Sequence, residues 1–279
     1  MPPRTSLALL ILTVTAAAGL AQSELKNRSL PGEGVTGGSI TDGVNLWEIT
    51  GPSGNEGVFT DLEVPIGSDH QYASWWWYRV AGDTAETILP LPDTENYSGA
   101  LATLTWTDVD GRGLFSAELN VLLVAQGPGG ALLSALEVTN ISGASLELAV
   151  FAYNDMDMDG SAAQDSAIEV SPRQIDVFET TRANFLGNQA DDYLVASFPG
   201  VRGALNDEDI DDFDSSGVPF GPGDFSGGYQ WSRALLAGDS ALFETLICVD
   251  TGEQCPGFFV VFEDGFESGD TGRWDSTVP

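Results

Sequence analysis

Histidine, cysteine and lysine are nearly missing from this chain. One histidine (His70), two cysteines (Cys248 and Cys255) and one lysine (Lys26) occur in 279 residues. Ten basic residues face 42 acidic ones, a formal net charge of −32. That shortage of cations excludes nucleic acid as a partner, because neutralising phosphates takes clustered Lys and Arg. It also excludes attraction to anionic membrane surfaces. With a single histidine and no nucleophile motif beside it, most Ser-His-Asp arrangements lack a base, and His70 is read as structural. Two cysteines are too few for structural zinc. Beyond the first twenty or so residues, no apolar run reaches the ~18 residues of a membrane span. Helical periodicity with caps is absent from every stretch of ten or more residues.

What is present starts with an export pattern. Arg4, the run Leu7-Ala8-Leu9-Leu10-Ile11-Leu12 and the small residues Ala16 to Ala21 form the n-region, h-region and cleavage site of a secretory peptide over 1–21. The protein is therefore expected to be secreted, periplasmic or on the cell surface. In such a compartment Cys248 and Cys255 read as a disulfide closing a short loop, worth about 2.5 kcal/mol by loop entropy.

The hydrophobic fraction of 42% and seven Trp argue for an ordered core. Residues 22–43 read as an irregular lead-in, 44–257 as the folded domain or two packed sub-domains, and 258–279 as a tail. Short apolar runs bounded by Gly, Pro, Asn or Asp recur through the domain: Val44–Ile49, Val58–Ile66, Ala73–Val80, Ala100–Thr107, Leu114–Ala125, Leu132–Thr139, Leu146–Tyr153, Ala167–Glu179, Tyr193–Phe198, Tyr229–Leu236 and Ser240–Val249. Their alternation predicts an all-β antiparallel sandwich, jelly-roll or immunoglobulin-like. A long acidic loop is expected over 199–228.

Two constellations could carry chemistry. Asp155-Met156-Asp157-Met158-Asp159-Gly160 follows an apolar strand, so alternate carboxylates can curl around one cation, with Gly160 making the sharp turn. It resembles the first half of the D-x-D-x-D-G calcium loop. Ser166 stands where that loop has its bidentate Glu, and Asp165 is one residue early. The expected ligand set is Asp155, Asp157, Asp159, Ser161 and Asp165, with Ca²⁺ as the ion. As a solvated loop the three aspartates would repel by only ~1 kcal/mol per close pair in water. The second constellation is Trp75-Trp76-Trp77-Tyr78. Exposed, Trp75, Trp77 and Tyr78 would make a sugar-stacking platform. Covered on both faces, they would form a central strand, the reading favoured here for large aromatics.

Three resemblances follow from these strings. Val138-Thr139-Asn140-Ile141-Ser142-Gly143 resembles the hairpin turn of extracellular immunoglobulin-like modules, which implies architecture only. Trp75 to Val80 with Phe151-Ala152-Tyr153-Asn154-Asp155 is similar to uncharacterised exported bacterial sandwich proteins. Gly265-Phe266-Glu267-Ser268-Gly269-Asp270-Thr271 with Trp274 resembles a terminal motif of exported Gram-negative proteins, implying processing or sorting. The functional expectation is a non-enzymatic binding or structural protein with a carbohydrate or a cell-surface protein as partner. A carbohydrate-binding module or a carboxylate-based glycoside hydrolase is the alternative.

Overall fold

The computed structural model describes residues 37–52 and 58–250. The export segment 1–21, most of the lead-in, Cys255 and the 258–279 tail lie outside the described residues.

Two antiparallel sheets face each other. The first runs β1 (Gly38–Thr41), β2 (Leu46–Pro52), β3 (Val58–Glu63), β4 (Ala73–Val80), β10 (Leu146–Met156), β16 (Phe225–Leu235), β14 (Asp192–Ser197), with β5 (Thr87–Ile88) paired to β4. The second runs β15 (Phe220–Gly223), β11 (Asp165–Ser171), β12 (Gln174–Phe178), β13 (Arg182–Asn188), β17 (Ser240–Val249), β9 (Gly129–Asn140), β8 (Phe115–Gln126), β7 (Leu101–Trp106), β6 (Thr94–Ser98). The all-β sandwich expected from alternation is what forms. With eight and nine strands, it is larger than the seven to nine strands of a whole immunoglobulin domain. One hydrophobic cluster runs through both inner faces, from Trp47 and Ile49 to Phe243 and Ile247.

Residues 38–41, assigned by sequence to an irregular lead-in, are β1 and pair with β2. The run Ala167–Glu179, read as one strand, is the hairpin of β11 and β12. The acidic insertion is also more ordered than a loop. It holds the helix α1 (Gly200–Leu205), β15 and the start of β16. Its middle lies across the outer face of the first sheet. Phe213 packs edge-on against Phe151 at 5.3 Å, and Asn206 Oδ1 accepts from Trp77 Nε1 at 3.0 Å. Asp212 accepts from Arg79 at 2.6 Å, and Arg79 also pairs with buried Glu86.

That cover settles the aromatic run. Trp75, Trp77 and Tyr78 are all buried, so they form no open sugar platform and the ligand-binding role expected of them is corrected. Trp76 and Tyr78 reach toward the second sheet, Trp76 Nε1 donating to Ser134 and Tyr78 packing on Phe115. Trp75 donates to the Leu89 carbonyl at 2.7 Å and meets Trp106 edge-on.

Between the sheets, the β9–β10 corner is held by Asn140. Its buried Nδ2 donates to the carbonyls of Ala144, Leu235 and Leu236, and its Oδ1 accepts from Ser142. Replacing it removes those bonds, among them the buried one to the Leu235 carbonyl. Asn140→Ala should therefore destabilise the chain by about 2–3 kcal/mol in urea unfolding, with the m-value unchanged.

Candidate metal centre

β10 is buried at every position but Glu147, because β4 and β16 flank it and both its faces are covered. Its last polar residues are carried inside with the rest. Asp155 belongs to the strand itself, in register with Ala73 and Ser226, rather than to the loop expected from the motif. It is 1% exposed, and neither of its carboxylate oxygens accepts a well-formed hydrogen bond, the Tyr153 hydroxyl being the donor beside it. Asp157 lies just beyond the strand, also buried.

The chain then makes a 3-10 turn over Met158–Gly160, with Asp159 at φ 58° and Gly160 at φ 72°. Gly takes that left-handed conformation without strain, and Asp tolerates it better than most residues. The turn swings Asp159 away from its neighbours. Both its oxygens are spent on the 180–181 corner, accepting from the amides of Thr180 and Thr181 at 3.0 and 2.8 Å and from the Thr181 hydroxyl. Ser161 closes the turn, its amide donating to the Met158 carbonyl at 3.1 Å. His70 fixes the same turn from below. Its Nδ1 accepts from the Asp159 amide, so the proton sits on Nε2, which donates to the Val64 carbonyl at 2.9 Å.

The third carboxylate comes from elsewhere. Asp224 sits between β15 of one sheet and β16 of the other. Asp155, Asp157 and Asp224 each offer an oxygen within 4.8 Å of the others. Asp165, at the start of β11, is fully buried; one oxygen accepts from the Met158 amide at 3.2 Å and the other has no partner. The expected ligands thus divide. Asp155 and Asp157 converge, Asp165 stands outside that group but near enough to feel the Asp157 charge, Asp159 is committed to Thr180 and Thr181, and Asp224 joins from nearly seventy residues away. Its signal in the sequence is weak, a lone Asp after Gly221-Pro222-Gly223.

Electrostatics agree with the geometry. Burial raises the Asp155 carboxyl well above the usual range, and the charges of Asp157 and Asp224 add to it. Arg202, the nearby cation on α1, opposes that rise without cancelling it. Asp165 is pushed up to about 8, first by burial and then by Asp157. For Asp159, burial would raise the carboxyl, but the hydrogen bonds from Thr181 and Thr180 hold it low. Like charges at about 4 Å repel by about 4 kcal/mol at an effective dielectric of 20. This buried Asp triad could hold a metal ion. Beside it, Gln71, Asn154 and Trp76 border a cavity of about 20 Å³, room for one water and no more.

No family model matches the chain, and no curated relative does. Solved structures of similar fold include a bacterial glucoamylase complexed with acarbose (11% identity, 79% of this chain and 34% of that one, TM-score 0.49). An aldose 1-epimerase candidate from Escherichia coli K12 is similar over 78% of this chain and 99% of its own (11% identity, TM-score 0.49). A polysaccharide lyase is similar over 80% of this chain and 34% of its own (10% identity, TM-score 0.44). The chain spans about a third of the glucoamylase's length. At these identities the likeness is one of fold, and no residue role passes from them to this chain. Each of these neighbours carries the name of an enzyme acting on a carbohydrate, which stands against the expectation of a non-enzymatic protein.

Without a cation, stability should depend on pH in a defined direction. The folded chain holds the Asp165 proton up to about pH 8, whereas the unfolded chain releases it near 4. Between those values the folded state binds more protons, so stability falls as pH rises. In chelator, the melting temperature should drop from pH 5 to pH 8, and Asp165→Asn should flatten that slope.

Proposed function

We propose that Asp155, Asp157, Asp165 and Asp224 form a calcium site tying the two sheets together, in an exported carbohydrate-active protein that uses carboxylates for proton transfer. The observation that carries the cation reading is Asp155, a buried carboxylate with only the Tyr153 hydroxyl beside it as a donor and with oxygens of two further carboxylates within 4.8 Å. A purely oxygen donor set suits a hard cation. Calcium, with its 2.3–2.6 Å bonds and tolerant geometry, fits a mixed strand-and-loop site better than magnesium's strict octahedron. The residues bind the ion and hold one another in place, and the ion would add positive charge to that of Arg202.

Export rests on the 1–21 pattern, and a Cys248–Cys255 bridge belongs with it. The choice of carboxylates rests on what is left. The one histidine is spent on two backbone groups, so acid–base work among the described residues falls to Asp and Glu. The substrate class is taken from the sugar-active neighbours as a reading to test, not from any matched residue.

Calorimetric titration of chelated protein should show one calcium site, at ~0.1–1 mM or tighter, with weaker magnesium binding. At one hundred times Kd, calcium should add about 2.7 kcal/mol of stability. Asp155→Asn should abolish binding, and in chelator it should be at least as stable as the native chain, since it removes a buried unpaired charge. No calcium binding by folded protein would remove the site. For activity, the calcium-loaded protein should release reducing ends from, or interconvert anomers of, at least one sugar in a broad panel. A silent panel with folded, calcium-loaded protein would count against the enzymatic part alone.

A further inference from the structure

A polar layer lies in the middle of the apolar core. On the first sheet, Ser74 of β4 is in register with Asn154 of β10. On the second, Ser134 of β9 is in register with Thr245 of β17. Alternation turns all four inward. Trp76, two residues on from Ser74, donates across the interior to Ser134, and Phe243 and Ile247 flank Thr245 in the core. Facing sheets stand about 10 Å apart, a gap that Leu and Phe fill and that Ser, Thr and Asn do not. Between the two pairs lies the cavity of about 20 Å³, bordered also by Trp47, Leu119, Val121, Leu132 and Ile247.

Trp47 supplies the second observation. A buried indole N–H ordinarily finds an acceptor. Five of the six tryptophans among the described residues obey: Trp75, Trp106 and Trp231 donate to backbone carbonyls, Trp76 to Ser134 and Trp77 to Asn206. Trp47 is 3% exposed, and its Nε1 donates to no protein group.

We infer that this cavity binds one water molecule, which accepts from Trp47 Nε1 and donates to the hydroxyls of Ser134 and Thr245, joining the two sheets through their centre. The first-sheet pair is already met, Ser74 by the Thr60 hydroxyl and Asn154 by the Gln71 amide. That leaves the Trp47 donor on one sheet to be matched with the hydroxyls of the other, which takes a group that both accepts and donates. A held water needs two to four polar partners and room for about one probe sphere, and cavities that stay dry are apolar. Both needs are met here, and the volume shuts out a sugar ring or any larger solute. No carboxylate borders the cavity. Asp155 follows Asn154 on β10 and so points to the opposite face, which separates this site from the cation site.

The test is a water-selective nuclear Overhauser experiment on the full, unaltered chain. The Trp47 indole proton should give a cross-peak to water, with the sign of a held rather than a passing molecule. The indole protons of Trp106 and Trp231, which donate to carbonyls, should give none. No peak at Trp47 overturns the inference, and so does an equal peak at all three. Ser134→Ala with Thr245→Val removes both proposed acceptors and should lose the Trp47 peak; a peak that persists overturns the bridge between the sheets. If that variant does not fold, a high-resolution crystal structure of the unaltered chain replaces it. It should show one water about 2.7–3.2 Å from Trp47 Nε1 and from a hydroxyl of the second sheet. A cavity without that water, or with one bonded to a single sheet, overturns the inference.

Discussion

A strand covered on both faces has no side on which to keep its polar residues wet, and β10 is such a strand. Sandwiched laterally by β4 and β16, it faces the second sheet on one side and the 198–219 segment on the other. That position explains the aromatic density around it: Trp77 meets Tyr153, Phe151 meets Phe213 and Trp76 meets Trp231. Each pair adds about 0.5–1.5 kcal/mol beyond its buried area. It also explains why Asn154 and Asp155 are interior. Asn154 is met by Gln71, but Asp155 is met mainly by other acids, with the Tyr153 hydroxyl and the Arg202 charge as its only relief among the described residues.

The electrostatic consequence sets the chemistry of the molecule. Burying carboxylates without a counter-charge is costly, and such a group either takes up a proton or finds a cation. Arg202 stands close enough to lessen the cost and does not remove it. The same fold treats Asp159 in the opposite way, three residues from the end of the strand. Donors from Thr180 and Thr181 satisfy it fully, so identical side chains in one hexapeptide have different fates. Spacing along the chain does not decide which carboxylates converge; the φ values at 159 and 160 do.

Legibility in the sequence followed the same division. β4 and β17 were readable to the residue, because each is a near-continuous apolar run bounded by polar and turn residues. β13 was not read, since Asn184, Gly187 and Asn188 hide its period; Gly187 is required because a Cβ there would lie 2.5 Å from the Tyr229 ring. The first four residues of β16 were missed for a similar reason, Gly227 and Gly228 reading as loop while Gly228 passes close to the Ala152 carbonyl. Pro172-Arg173 was too slight a signal to divide β11 from β12. At the site, the carboxylates close in sequence were visible and Asp224 was not, because only the pairing of β16 with β10 brings it there. The aromatic run named its strand correctly, while its double cover depended on a distant acidic segment that composition alone presents as loop.

The carboxylate cluster is assembled from residues 155, 157 and 224, with Asp165 of the other sheet beside it. Nothing resembling it can exist in a collapsed but unpaired chain, and loop closure over that span comes late in acquiring structure. An ion seated there would therefore act as a latch rather than a nucleus. Its grip would be felt in how slowly the finished sandwich comes apart, with little influence on how quickly it is made.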